Sequence, residues 1–163
     1  MRKRIWLAVT AACVAAVGIT APAHADRNVQ NSHRPTPSAV IYWGEGGNEA
    51  SPNDAGGTDA WMSLWANQGV GDHHLSSTKF HAYGEVLTVE DRIEDGAQVV
   101  VDVRVYDTKL NLRDTDKFTC PTECKYDLGT PDGSGDIPEG WVVKFRVGTD
   151  TMPYRTGWIN GSA

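Results

Sequence analysis

From position 98 to 107 the chain places Val99, Val101, Val103 and Val105 at every second residue, with Asp102 and Arg104 between them. Successive side chains of a β-strand point to opposite faces, so this spacing makes one face apolar and leaves the other to water. On a helix the same valines would scatter around the axis. The segment therefore predicts a half-buried strand, which must pair on both sides and find a second apolar layer to cover it.

The same period returns on either side. Trp141, Val143, Phe145 and Val147 alternate over 141–147. Leu110, Leu112 and Phe118 do so over 108–119, interrupted by Asp114 and Asp116. Residues 79–90 predict a strand, bulged at Gly84, with Leu87, Val89 and Ile93 on one face. Glu94-Asp95-Gly96 supplies a hairpin turn between it and the valine strand. Residues 126–140 are turn-rich, and 154–159 predict a closing edge strand. Short alternating strands divided by Gly, Pro and Asp turns point to a mainly β fold, a small antiparallel β-sandwich or barrel.

One helix is expected before these strands, at 58–68. Thr58 or Asp59 can cap it, Gly69 can end it, and Trp61, Leu64 and Trp65 fall at i, i+3 and i+4. Ahead of it lies an extended, loop-rich arm, 26–57. Its first part is polar and carries Pro35 and Pro37. The apolar run Ala39 to Trp43 follows, and then 44–57 with five glycines. The β-domain spans 58–163.

Residues 1–25 have the three parts of a secretory signal. Arg2, Lys3 and Arg4 precede an apolar run from Ile5 to Ile19, and Ala23-His24-Ala25 closes it. The apolar run is shorter than the roughly 20 residues a membrane span needs. A secreted, extracellular protein is expected, with no membrane attachment after cleavage. The whole chain carries a formal charge of −6. The signal holds three basic and no acidic side chains, so 26–163 carry 12 basic and 21 acidic ones, a charge of −9. Such a surface argues against a nucleic-acid partner.

Cys120 and Cys124 remain after cleavage, and an oxidising compartment favours a disulfide between them. The ring is small, so the bridge is expected to shape a turn more than to staple the fold. Asp72, His73, His74 and His81 form a histidine-rich group without the spacing of a zinc motif. Asp132, Ser134 and Asp136 alternate as at the start of a calcium loop, but Ile137 and Val143 stand where glycine and glutamate belong. Asp132, Asp136, His73 and His74 are thus weak metal candidates, and no metal or other cofactor is called for.

No Gly-x-Ser-x-Gly elbow and no His-Glu-x-x-His helix occurs. The chain is expected to be a non-enzymatic binding or adaptor protein for an extracellular protein partner. Ile41, Tyr42, Trp43, Trp61 and Trp65 are its candidate contact residues, since large rigid aromatics dominate interface energetics. An extended arm of this kind can add a strand to a partner. In general outline such a protein is similar to small adaptor or inhibitor subunits exported by actinobacteria, including adaptors of secreted toxin particles, and no single motif carries that likeness. The alternatives are a small secreted hydrolase and a cell-surface structural or carbohydrate-binding component.

Overall fold

The structure is a computed structural model that describes residues 40–67, 69, 71–129 and 136–163. The segment expected as an export signal, the polar lead-in, Asp132 and Ser134 lie outside them. Among the described residues the chain forms nine strands and no helix: β1 (Ile41–Ala50), β2 (Thr58–Asn67), β3 (Asp72–His81), β4 (Val86–Asp91), β5 (Val99–Tyr106), β6 (Leu112–Cys120), β7 (Glu123–Asp127), β8 (Val142–Thr149) and β9 (Ile159–Ser162). All pairings are antiparallel, in the order β6-β5-β8-β9-β2-β3-β4-β7, and β1 lies on β2. The sheet curls until it is nearly a closed barrel.

The valine strand is central. β5 lies between β6 and β8, and Val99, Val101, Val103 and Val105 are buried. Val103 sits opposite Phe145 of β8, itself buried, while Arg104 beside it is exposed. Phe80 of β3, Leu87 and Val89 of β4, and Met62 and Leu64 of β2 face the same core. Each such side chain contributes about 1.5–3 kcal/mol through removal from water.

β6 and β7 follow one another in the chain, yet they lie at opposite ends of the hydrogen-bonded order. The gap between them is the seam of the barrel. Cys120 and Cys124 are disulfide-bonded across it, with Cα atoms 5.8 Å apart. The Phe118 and Tyr126 rings stack at 4.3 Å, and the Tyr126 hydroxyl donates to the Thr119 carbonyl at 3.0 Å. The disulfide thus clasps two strand ends that the ladder does not join.

Several expectations are corrected. Residues 58–67 form a strand, because Ala60, Met62, Leu64 and Ala66 turn inward at period two. Trp61 and Trp65 share the opposite face, and Leu64 does not join them. The glycine-rich stretch after Trp43 belongs to β1 as far as Ala50. Residues 79–90 hold two strands, not one bulged strand. Gly84 and Glu85, both at positive φ, make the turn between β3 and β4. The Asp95-Gly96 turn is present, with the Ala97 amide donating to Asp95, but it links β4 to β5, which do not pair. Ile93 falls outside β4. Leu110 and Leu112 are exposed, and β9 lies between β8 and β2 instead of at an edge.

Candidate functional site

β1 pairs with β2 along its whole length, Ile41 opposite Asn67 through Ala50 opposite Thr58. Among the described residues no other strand pairs with it. On its inward side neighbouring groups come close at Gly44 and Gly46, and glycine makes that possible. A Cβ on Gly44 would lie 2.5 Å from the Thr156 methyl, and Gly46 is crowded by the Trp61 carbonyl and Met62. Tyr42, on the same side, stacks on Tyr154 with ring centroids 5.9 Å apart. Within the segment expected as an extended, loop-rich arm (26–57), Ile41–Ala50 is therefore an edge strand paired to β2, and 26–39 lie outside the described residues.

Its outward side carries Ile41, Trp43, Glu45, Gly47 and Glu49, opposite Asn67, Trp65, Ser63, Trp61 and Asp59 of β2. Trp43 stacks on Trp65 at 6.3 Å, nearly parallel, and Trp65 stacks on His74 at 4.3 Å. A row of three rings thus crosses β3, β2 and β1 and ends on the outermost strand. Trp61 lies against Gly47, where a Cβ would come within 3.1–3.3 Å of the indole. Ile41 is 63% exposed and Trp61 37%. Four of the five candidate contact residues, Ile41, Trp43, Trp61 and Trp65, are thereby brought to one surface. Tyr42 is not, because one residue along a strand reverses the face.

Polar chemistry borders the rings. Lys79 Nζ lies 3.5 Å from Glu49 and 3.6 Å from Asp59, and His81 Nδ1 lies 3.7 Å from Asp59. Burial works against the Asp59 carboxylate. The Ala82 amide, the Ser51 hydroxyl, Lys79 and His81 outweigh it and hold its pKa below the usual carboxylate range. Burial, aided by Arg92, holds the His74 imidazole below its ordinary pKa. His74 is thus neutral at pH 7, with Nε2 2.9 Å from the Ser76 carbonyl it donates to. Past Trp61 the outer face opens into a groove of about 440 Å³ lined by Ser63, Ser77, Lys79, Thr88, Glu90 and Glu123.

The histidine-rich group is not assembled. His73 and His74 stand at the start of β3 and His81 at its end. His74 is committed to Trp65, and His81 to Asp59. Asp136 is exposed, and its would-be companion Asp132 lies outside the described residues. Among the described residues, no three His, Cys, Asp or Glu side chains are grouped to hold an ion.

Sequence reasoning missed a second cluster, on the outer face of β5 and β8. Arg104 and Arg146 each lie 4.7 Å from the Trp158 ring, and Arg146 Nε donates to Asp102 at 2.9 Å. The alternation of charges along β5 and β8 was the available signal. What it lacked was the register that sets those charges side by side. No family model, curated protein or solved structure matches this chain.

Proposed function

We propose that this chain is an exported, non-enzymatic adaptor that captures an extracellular protein by accepting an extended segment against the open edge of β1. The observation that carries this reading is the contrast between its sheet edges. Exposed edges invite strand addition, and proteins blunt them with short length, proline, lysine or charges turned inward. β6 has Asp114 and Asp116 opposite Val105 and Val103, on the core side of the sheet. β7 has only five residues, three of them charged. β1 is ten residues long, has neither proline nor lysine, and carries the aromatic row to its rim. A strand laid beside it would gain a backbone ladder and a ring contact at Trp43.

The outward residues also state what that strand should contain. Glu45 and Glu49 favour cations opposite them, and Trp43 favours an aromatic. Glu49 is already near Lys79, but Glu49 is well exposed and Lys79 half-exposed, and surface pairs are worth only about 0–1 kcal/mol. Self-pairing is disfavoured. Antiparallel registers centred on Glu45, Gly47 or Glu49 set glutamate against glutamate.

A nine-residue peptide tests this directly. It has lysine opposite Glu49 and Glu45, tryptophan opposite Trp43, valine opposite Ile41 and threonine elsewhere. Tryptophan fluorescence should report binding at least about tenfold tighter than for the same peptide with glutamate in place of lysine, the scale of two favourable pairs replaced by two repulsive ones. Equal affinities for the two peptides would refute the proposal.

A further inference from the structure

The outer face of β5, β6 and β8 differs in charge from the rest of this acidic chain. The register places Lys117 of β6, Asp102 of β5 and Arg146 of β8 in one row. Thr115, Arg104 and Lys144 form the next. Four cations and one acid therefore share the two rows, in a chain whose formal charge is −6. They border a cleft of about 260 Å³ lined by Asp102, Arg104, Thr115, Lys117, Arg146 and Trp158. Val103 and Asp116, which alternate to the core side of β5 and β6, also border it, and Asp116 is engaged in a contact of its own.

The two arginines make a comparison possible within the site. Both guanidinium groups lie 4.7 Å from the same indole. Arg146 has a carboxylate: Asp102 accepts from its Nε at 2.9 Å, and Arg155 Nε stands 3.9 Å from the same oxygen. Arg104 has the same seat on Trp158, but its cross-strand neighbours are Thr115 and Lys144. Lys144 is itself placed over the Tyr106 ring at 5.1 Å. Among the described residues no carboxylate lies within salt-bridge distance of Arg104, and the side chain is exposed. A guanidinium held against an indole is pre-positioned and keeps its planar fork of donors for a second partner. That fork matches a carboxylate, and Asp102 on Arg146 shows the pairing this surface already makes.

We infer that Arg104, flanked by Lys117 and Lys144 and held by Trp158, is a binding site for carboxylates supplied by an acidic polypeptide segment. The site is on strands that do not pair with β1, so it does not rest on the strand-accepting reading. It also limits what net charge can say: a −9 balance over 26–163 coexists with a local cationic face.

The test is calorimetric titration of the protein with a hexaglutamate peptide, with hexaglutamine as the neutral control, at low and at physiological salt. Hexaglutamate should bind and hexaglutamine should not, and the affinity should fall as salt rises. Arg104→Gln should weaken binding by about tenfold or more, the scale of a charge-assisted pair. Lys109→Gln, outside these rows, should leave it unchanged. Circular dichroism would show that Arg104→Gln is folded. Equal binding of both peptides, or an Arg104→Gln protein that binds as the parent does, would overturn the inference. So would binding of an oligogalacturonate in place of the peptide, which would move the site to anionic glycans. Titration with the lysine-bearing β1 peptide reads the other face separately.

Discussion

Replacing both Cys120 and Cys124 by alanine removes the clasp at the barrel seam, and its effect follows from two terms. The residues are four apart in sequence, and closing so small a ring restrains the unfolded chain by about 2 kcal/mol in the loop-entropy account. Cys120 is also fully buried, with its sulfur among Val89, Val99 and their neighbours in the core. Deleting a group of that size adds about 1 kcal/mol. Together they amount to about 3 kcal/mol. For a fold of roughly 120 residues the unfolding entropy is about 0.25 kcal/mol per kelvin, so the melting temperature should fall by about 12 °C. Differential scanning calorimetry would read this. Amide exchange should accelerate first in β6 and β7, since the stacked pair Phe118 and Tyr126 and one hydroxyl contact remain to hold them. A fall of less than about 4 °C would mean that the bridge shapes a local turn and no more. Loss of any cooperative transition would mean that the seam carries far more of the fold than these terms allow.

Val103→Asp should leave no folded protein by near-ultraviolet circular dichroism, because it buries an unpaired charge between Phe145 and the core face of β6. Asp59→Asn should be less stable than the parent at pH 7. The folded pKa of Asp59 is depressed, so its contribution is present above the unfolded carboxylate pKa of about 4 and is lost as pH falls through the folded value. Urea melts of the two proteins should therefore converge below that pH, and a gap that widens on acidification would reverse the assignment. Trp43→Ala should cost about 1 kcal/mol of stability, the scale of the lost ring stack, but about 2 kcal/mol or more of affinity for the lysine-bearing peptide. Equal losses in urea melts and peptide titrations would make Trp43 a structural residue only.

Where the sequence was misread, the reason is physical. Trp61 and Trp65 are four apart, a spacing that suits both a helix face and a strand face, since four is a multiple of two. The deciding residues were Ala60, Met62, Leu64 and Ala66, whose period of two excludes a helix once all four are counted. Small side chains weakened that signal. In β1, Gly44, Gly46 and Gly47 resemble a loop by composition, yet they are there because Thr156, Met62 and Trp61 press against the strand. That requirement comes from distant parts of the chain and has no local signature. Val99 to Val105 and Val143 to Val147 were legible because burial and alternation coincide in them. Pairing order was not: the Asp95-Gly96 turn is a hairpin signal in a link between strands that never meet. The contact surface was legible as a set of tryptophans but not as an edge, since only the topology shows that β1 has one strand partner among the described residues.

Hydrogen-exchange mass spectrometry of residues 40–50, with and without the lysine-bearing peptide, tests strand acceptance most directly. An added strand hydrogen-bonds the amides on the unpaired edge of β1, so exchange of the alternate amides within Ile41–Ala50 that do not bond β2 should slow on binding while β6 and β7 are unchanged. Binding that leaves β1 exchange untouched, or that protects only the groove lined by Ser77, Thr88 and Glu123, would contradict the account.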